Sequence, residues 1–317
     1  MWTCSEMKRT GWNRLTGTFW TAVILTLVFS LISGVLPFIQ SAINVFRMII
    51  QQNVLSTGYS GMEDIDSNSM SYNTQMMAMS GLSGLISMLS IAATFLLINP
   101  ISVGYTRWFL ANRNEDSKPS ISLLFSSFKS GKYGPTVAGM AWHTLWMMIW
   151  GFVASMCLFP FYIMFFVILF MVIFAVASSL TGIDASIYSG KSVDYGDISR
   201  KIMDIAPILL IIMLILFVLG LAGYFVIILN RKYAYMFTPF ILAEKYNIGS
   251  ANALNLSKDM TRGMKGKLFL LDLSFIGWWL LSILTLGLLY YGIAPYMYAT
   301  YTEVYTKRKE EMAIVLS

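Results

Sequence analysis

Asp272 is the sharpest polar feature of the chain. It stands in KLFLLDLSFIGWWLLSILTLG (267–287), a run that is otherwise apolar beyond its first lysine. A carboxylate within a membrane span is costly and marks a functional position by default. Here it lies within a turn or two of a basic flank, so Lys265, Lys267 or Arg107 can pair with it. Anchoring of a bend is then a simpler role than proton or ion coupling. A second polar point is Asn99–Pro100, followed by Gly104. Proline removes a backbone donor and frees a carbonyl, and such broken helices bind substrate in transporters. The simpler reading is a kink satisfied by Asn99 and Ser102. Asn99, Pro100, Arg107 and Asp272 are thus the ligand or coupling candidates.

The other chemistry-bearing groups are weaker. His143 is the single histidine, between Trp142 and Trp146. It reads as packed or interfacial and leaves a His-based metal site without support. Met70, Met76, Met77 and Met79 supply soft thioethers for Cu(I), but 22 Met scattered through the chain explain that cluster without copper. Asp184, Asp194, Asp197 and Asp204 suit a solvated acidic loop better than a cation site. Cys4 and Cys157 lie in different settings and read as free thiols. HExxH, GxSxG and the P-loop pattern are absent, and GMKGK (263–267) lacks the phosphate-loop spacing. The expectation is no catalytic residue, no cofactor, no metal and no enzyme.

The elements that must position these residues are long apolar runs. Apolar residues make up 57% of the chain and charged residues 12%, about half the usual charged share. The fold class expected is all-α, a polytopic transmembrane helical bundle forming one integral membrane domain over 1–317. Residues 17–39 form a first span, too long for a typical signal-peptide core. Residues 40–80 read as an outside polar loop, with 41–51 on the membrane surface. A second span covers 81–105. The loop 106–135 carries Arg107, Arg113, Lys118, Lys129 and Lys132 against Glu115 and Asp116, which places it inside. Residues 136–182 are too long for one straight span of a ~30 Å core. Two helices turning near Pro160 are one reading. The acidic 183–205 loop favours the other, one crossing plus a piece that is re-entrant, broken or protruding. A span over 206–229 and a hairpin over 268–305, turning near Gly287–Gly292, bring the count to about six. Both termini are then cytoplasmic.

The stretch 245–267 reads as an amphipathic basic segment on the inner leaflet. Ser250 is its expected N-cap, with Ala253, Leu256, Met260 and Met264 on one face. Lys258, Arg262, Lys265 and Lys267 are the lipid-surface candidates, each adding about 1 kcal/mol toward anionic headgroups. Basic inner loops follow the positive-inside rule, so nucleic acid is not an expected partner. Membrane lipids are, and a membrane-protein partner or a homo-oligomer is allowed.

NPISVGYTRWFL (99–110), KPSISLLFSSFKSGKYG (118–134), YAYMFTPFILAE (233–244), SANALNLSKDMTRGMKGKLFLLDLSFIGWWLLSILTLG (250–287) and PYMYATYTEVY (295–305) together resemble a bacterial integral-membrane family. It is catalogued as domain of unknown function nine-seven-five. The resemblance implies a multi-span helical protein of the bacterial cytoplasmic membrane and carries over no catalytic residue. Against the short family form, 152–220 looks like a lengthened apolar and Asp-rich insertion. The functional expectation is a non-enzymatic transport-associated or envelope factor that handles an amphipathic ligand (lipid, peptide or small molecule). The alternative is a structural or interaction protein that assembles with another membrane protein or shapes the bilayer.

Overall fold

The computed structural model describes residues 2–58, 65–113, 118–181 and 195–316. Among the described residues there is no strand, and the chain is a set of helices. They are α1 (Cys4–Leu15), α2 (Phe19–Gly58), α3 (Ile65–Ala93), α4 (Asn99–Ala111), α5 (Tyr133–Ser155), α6 (Phe159–Thr181), α7 (Tyr195–Tyr235), α8 (Thr238–Glu244), α9 (Ser250–Thr261), α10 (Lys265–Leu273), α11 (Ile276–Leu284) and α12 (Tyr290–Leu316). Five segments among the described residues are long and apolar enough to cross a membrane: Phe19–Ile50, Met76–Ala111, Tyr133–Ile173, Asp204–Glu244 and Lys265–Leu284. The return arm that a sixth crossing requires falls on α12, whose first half is rich in Tyr and Thr and is not among these five.

Two compact units emerge: residues 1–144 with 234–317, and residues 145–233. In the first, α1 lies along α12, and α4 packs against α8 and a 3₁₀ run, Ile121–Phe128. Its core joins Leu15, Ala22, Leu25, Tyr105, Trp108, Phe109, Leu124 and Ala299. In the second, α6 and α7 meet through Phe161 and Phe217, and a Cβ on Gly220 would lie 2.5 Å from the Cys157 carbonyl oxygen. Only glycine permits that approach.

Several expectations change. Residues 41–51 do not form a separate surface helix, because α2 runs on without a break for 40 residues. At ~1.5 Å per residue that is about 60 Å, twice the ~30 Å hydrocarbon core. The apolar stretch at 136–182 shows no reversing turn at Pro160. A 3₁₀ turn (Met156–Leu158) joins α5 to α6 with helical dihedrals at both Ser155 and Phe159. This favours the single-crossing alternative. The stretch 118–134 is not a loose loop, since Leu124 within it is fully buried. Asp184 and Asp194, and the side chains of Met70 and Asp197, lie outside the described residues.

Candidate functional site

The sequence candidates on α4 are tied into the fold by short bonds. A π-helical turn, Thr94–Ile98, precedes Asn99 and absorbs the proline. Pro100 cannot donate to the carbonyl four residues back, that of Leu96. Tyr133 Oη donates to it instead, at 2.9 Å. Asn99 Nδ2 donates to Thr144 Oγ1 at 3.2 Å, and Ser102 Oγ donates to the Asn99 carbonyl at 2.7 Å. The point is a satisfied π-bulge, not an open ring of carbonyls. Gly104 serves a different purpose from unwinding. A Cβ there would fall 1.9 Å from the Leu124 carbonyl oxygen, so the glycine lets the 3₁₀ run close onto α4. Trp108 Nε1 holds the same run through the Pro119 carbonyl, at 2.9 Å.

Arg107 faces the end of α8. Its Nε and Nη2 donate to the Ala243 carbonyl at 2.9 and 2.7 Å, and Nη1 donates to Ser126 Oγ at 3.1 Å. The last carbonyls of a helix have no intrahelical donor and carry the negative end of its dipole. Two more basic side chains do the same work nearby. Arg308 Nε donates to the Met260 carbonyl in the last turn of α9 at 2.8 Å. Lys8 Nζ donates to the Ser274 carbonyl at the end of α10 at 3.1 Å and lies over the Phe275 ring. Three short helices are thus capped by cations from distant parts of the chain.

Asp272 is half-buried in the last turn of α10, where a carboxylate opposes the dipole. The Tyr301 hydroxyl on α12 donates to it. Arg107 and Lys267 do not pair with it: Arg107 is on Ala243, and Lys267 lies over the Trp2 ring. Asp272 therefore sits at the break before Phe275 and ties it to α12. Asp272→Asn keeps an oxygen for the phenol, so its unfolding free energy should stay within about 1 kcal/mol of the parent. A variant equally stable but unable to retain ligand would instead give the carboxylate a coupling role.

The basic segment is also built inward. Gly249 occupies the N-cap position of α9 and Ser250 begins the helix. Ala253, Leu254, Ser257, Met260 and Thr261 are buried, while Leu256 is only half-buried. The reason is a break in the chain before α8. Ser257 Oγ donates to the Ala234 carbonyl at 2.9 Å and accepts from the Phe237 amide at 3.1 Å. The apolar side of α9 thus packs on α8 and α12. Lys258 bonds Asn255 Oδ1 at 3.2 Å, and Arg262 stays exposed. Beside this, Glu244 accepts from Tyr305 Oη at 3.0 Å and Lys309 Nζ at 2.6 Å. Burial first, and then the Glu244 carboxylate, push the Tyr305 phenol far above its usual range, which keeps it a donor.

One feature was not legible in advance. Trp12, Phe19, Trp278, Leu289, Gly292, Ile293 and Tyr296 line a cavity of about 320 Å³. Tyr296 meets Trp12 edge-on at 5.5 Å and Phe275 at 5.3 Å, and Lys8 lies 4.4 Å from the Phe275 centroid. The aromatic flank of the first span was the available signal, but its partners come from the other end of the chain. Asn99–Pro100, Arg107 and Asp272 are not brought together. Their bonds go to three separate sets of partners.

A family model described as "Protein of unknown function (DUF975)" matches residues 1–311. No curated protein and no solved structure matches the chain.

Proposed function

The chain belongs to that family, and from this premise we propose that it is a non-enzymatic protein of the bacterial cytoplasmic membrane that holds an amphipathic ligand of the lipid type. The observation that supports this is the aromatic-walled cavity between Trp12 and Tyr296. Its lining is almost wholly apolar, and a cation stands one ring away at Lys8. An apolar body with an anionic head fits both features. Asn99, Pro100, Arg107 and Asp272 hold the fold around that cavity and do not themselves touch the ligand. The interaction reading of 245–267 loses support from α9, whose apolar side is covered by α8 and α12.

Gly292 gives the direct test. A Cβ there meets only Phe19 Cζ, at 3.8 Å, so a larger side chain enters the cavity without displacing backbone. Gly292→Leu should lower retention of a chain-nitroxide phosphatidylglycerol severalfold in reconstituted protein, measured by the immobilised component of its spectrum. Gly81→Leu, in open space on α3, should leave retention unchanged. Equal retention in both variants would sink the reading.

A further inference from the structure

We propose that the C-terminal hairpin, α11 with its turn and the first residues of α12, enters a single leaflet and turns back inside the acyl chains without crossing the membrane. The partner of its exposed tip is lipid hydrocarbon on the side that carries both termini. This goes beyond the cavity reading and does not depend on it.

The turn itself carries the argument. Its side chains are Ile283, Leu284, Leu286 and Leu288, the most exposed of them Leu286 at 94%. Turns that reach water are polar as a rule, whereas backbone in hydrocarbon must have its polar groups satisfied internally, the amides above all for want of any second acceptor there. Here every amide from Thr285 to Ile293 is bonded within the turn. Leu286 donates to the Ile283 carbonyl, Gly287 to that of Ser282, and Leu288 to that of Thr285. Leu289 would be left over, and Thr285 Oγ1 accepts its amide at 3.2 Å. Thr285 is the single polar side chain between Ile283 and Leu289, and its hydroxyl donates back to the Ser282 carbonyl at 3.1 Å. Leu286 and Gly287 take left-handed dihedrals to make this closure, with φ of 52° and 85°. The turn's amides ask nothing of water, and of its carbonyls only those of Leu284 and Leu286 take no bond.

Taken without α10, the hairpin is also too short to cross. Gly292 abuts the ring of Phe19, the first residue of α2. The first apolar segment begins there, after Arg14 and Thr16. From Gly292 to Gly287 the chain is five residues, at most about 17 Å even fully extended, against a ~30 Å core. The other arm is broken: Ser274 and Phe275 interrupt the run, leaving nine residues in α11, about 14 Å of helix.

Parity agrees. Gly11 of α1 is in van der Waals reach of Thr300, and Lys307 lies 3.8 Å from Glu6, so the two terminal helices share one side. An even number of crossings is required. The five candidate segments alone would be odd. A hairpin that does not cross leaves four, the segments in α2, α3–α4, α5–α6 and α7.

The test is a single thiol at the tip. Leu286→Cys is made with Cys4→Ser and Cys157→Ala, labelled with bimane in detergent, and reconstituted into sealed vesicles. Chain-nitroxide phosphatidylcholine should quench it more strongly than headgroup nitroxide does. The unlabelled thiol should resist an impermeant maleimide from both sides. Rapid labelling from the face opposite the termini would show a crossing hairpin and overturn the proposal. Labelling from the terminal face, or quenching by the headgroup nitroxide alone, would place the tip in water and overturn it equally.

Discussion

Gly104→Ala should lower the unfolding free energy by about 3 kcal/mol, about 10 °C in the detergent unfolding midpoint. The one added carbon would stand 1.9 Å from the Leu124 carbonyl oxygen and 2.6 Å from its carbon. Neither is the end of a flexible side chain, so the 3₁₀ run must lift as a body from α4. Leu124 then leaves the core, and the Trp108–Pro119 bond is lost with it. Trypsin should accordingly cut faster at Lys129 and Lys132, which follow the run. An unchanged midpoint together with parental cleavage would mean that the run does not seat on Gly104.

Arg107→Met comes second in size, at about 2 kcal/mol. The substitution keeps much of the apolar stem but removes three donors. It leaves the Ala243 carbonyl unpaired at the end of α8, where no intrahelical amide reaches it. Arg107→Lys should fall between the two, because one ammonium cannot reproduce the fork on Ala243 and Ser126. Midpoints measured for the three proteins should therefore rank Arg, Lys, Met. A methionine variant with parental stability and impaired ligand retention would reverse the assignment and make Arg107 a binding group.

The elements were largely legible because their cause is local. Apolar runs bounded by charge marked the spans, and Gly287 marked the reversal that the turn makes. Asp272 was placed at the bend from the basic segment into the span; it lies one helix further on, before the break between α10 and α11. What was hidden is the identity of partners. Arg107 bonds a carbonyl 136 residues away, and Asp272 a phenol 29 residues on. Periodicity does not report such pairings. Basic residues flanking spans signal only orientation in a sequence, as Lys8 and Arg308 do. In the structure they cap helices. Ser257 and Thr261 gave no signal either: they are polar, yet they face inward to bond the Ala234 carbonyl at the break before α8. The length of α2 also escaped a reading by composition, since its polar second half keeps helical backbone well past the apolar limit.

The contact between α1 and α12 sets the order in which this protein can be completed during synthesis. Between Leu15 and Tyr290 lie about 275 residues of chain. At roughly 5–20 residues per second, α1 emerges some 15 to 55 s before its partner does. Throughout that interval the face of Met7, Gly11 and Leu15 has no α12 to cover it. An amphipathic helix with basic residues on its other side can rest on the membrane surface while it waits. α12 therefore closes the fold against α1, and any ribosome that stalls before Tyr290 leaves α1 without its seat.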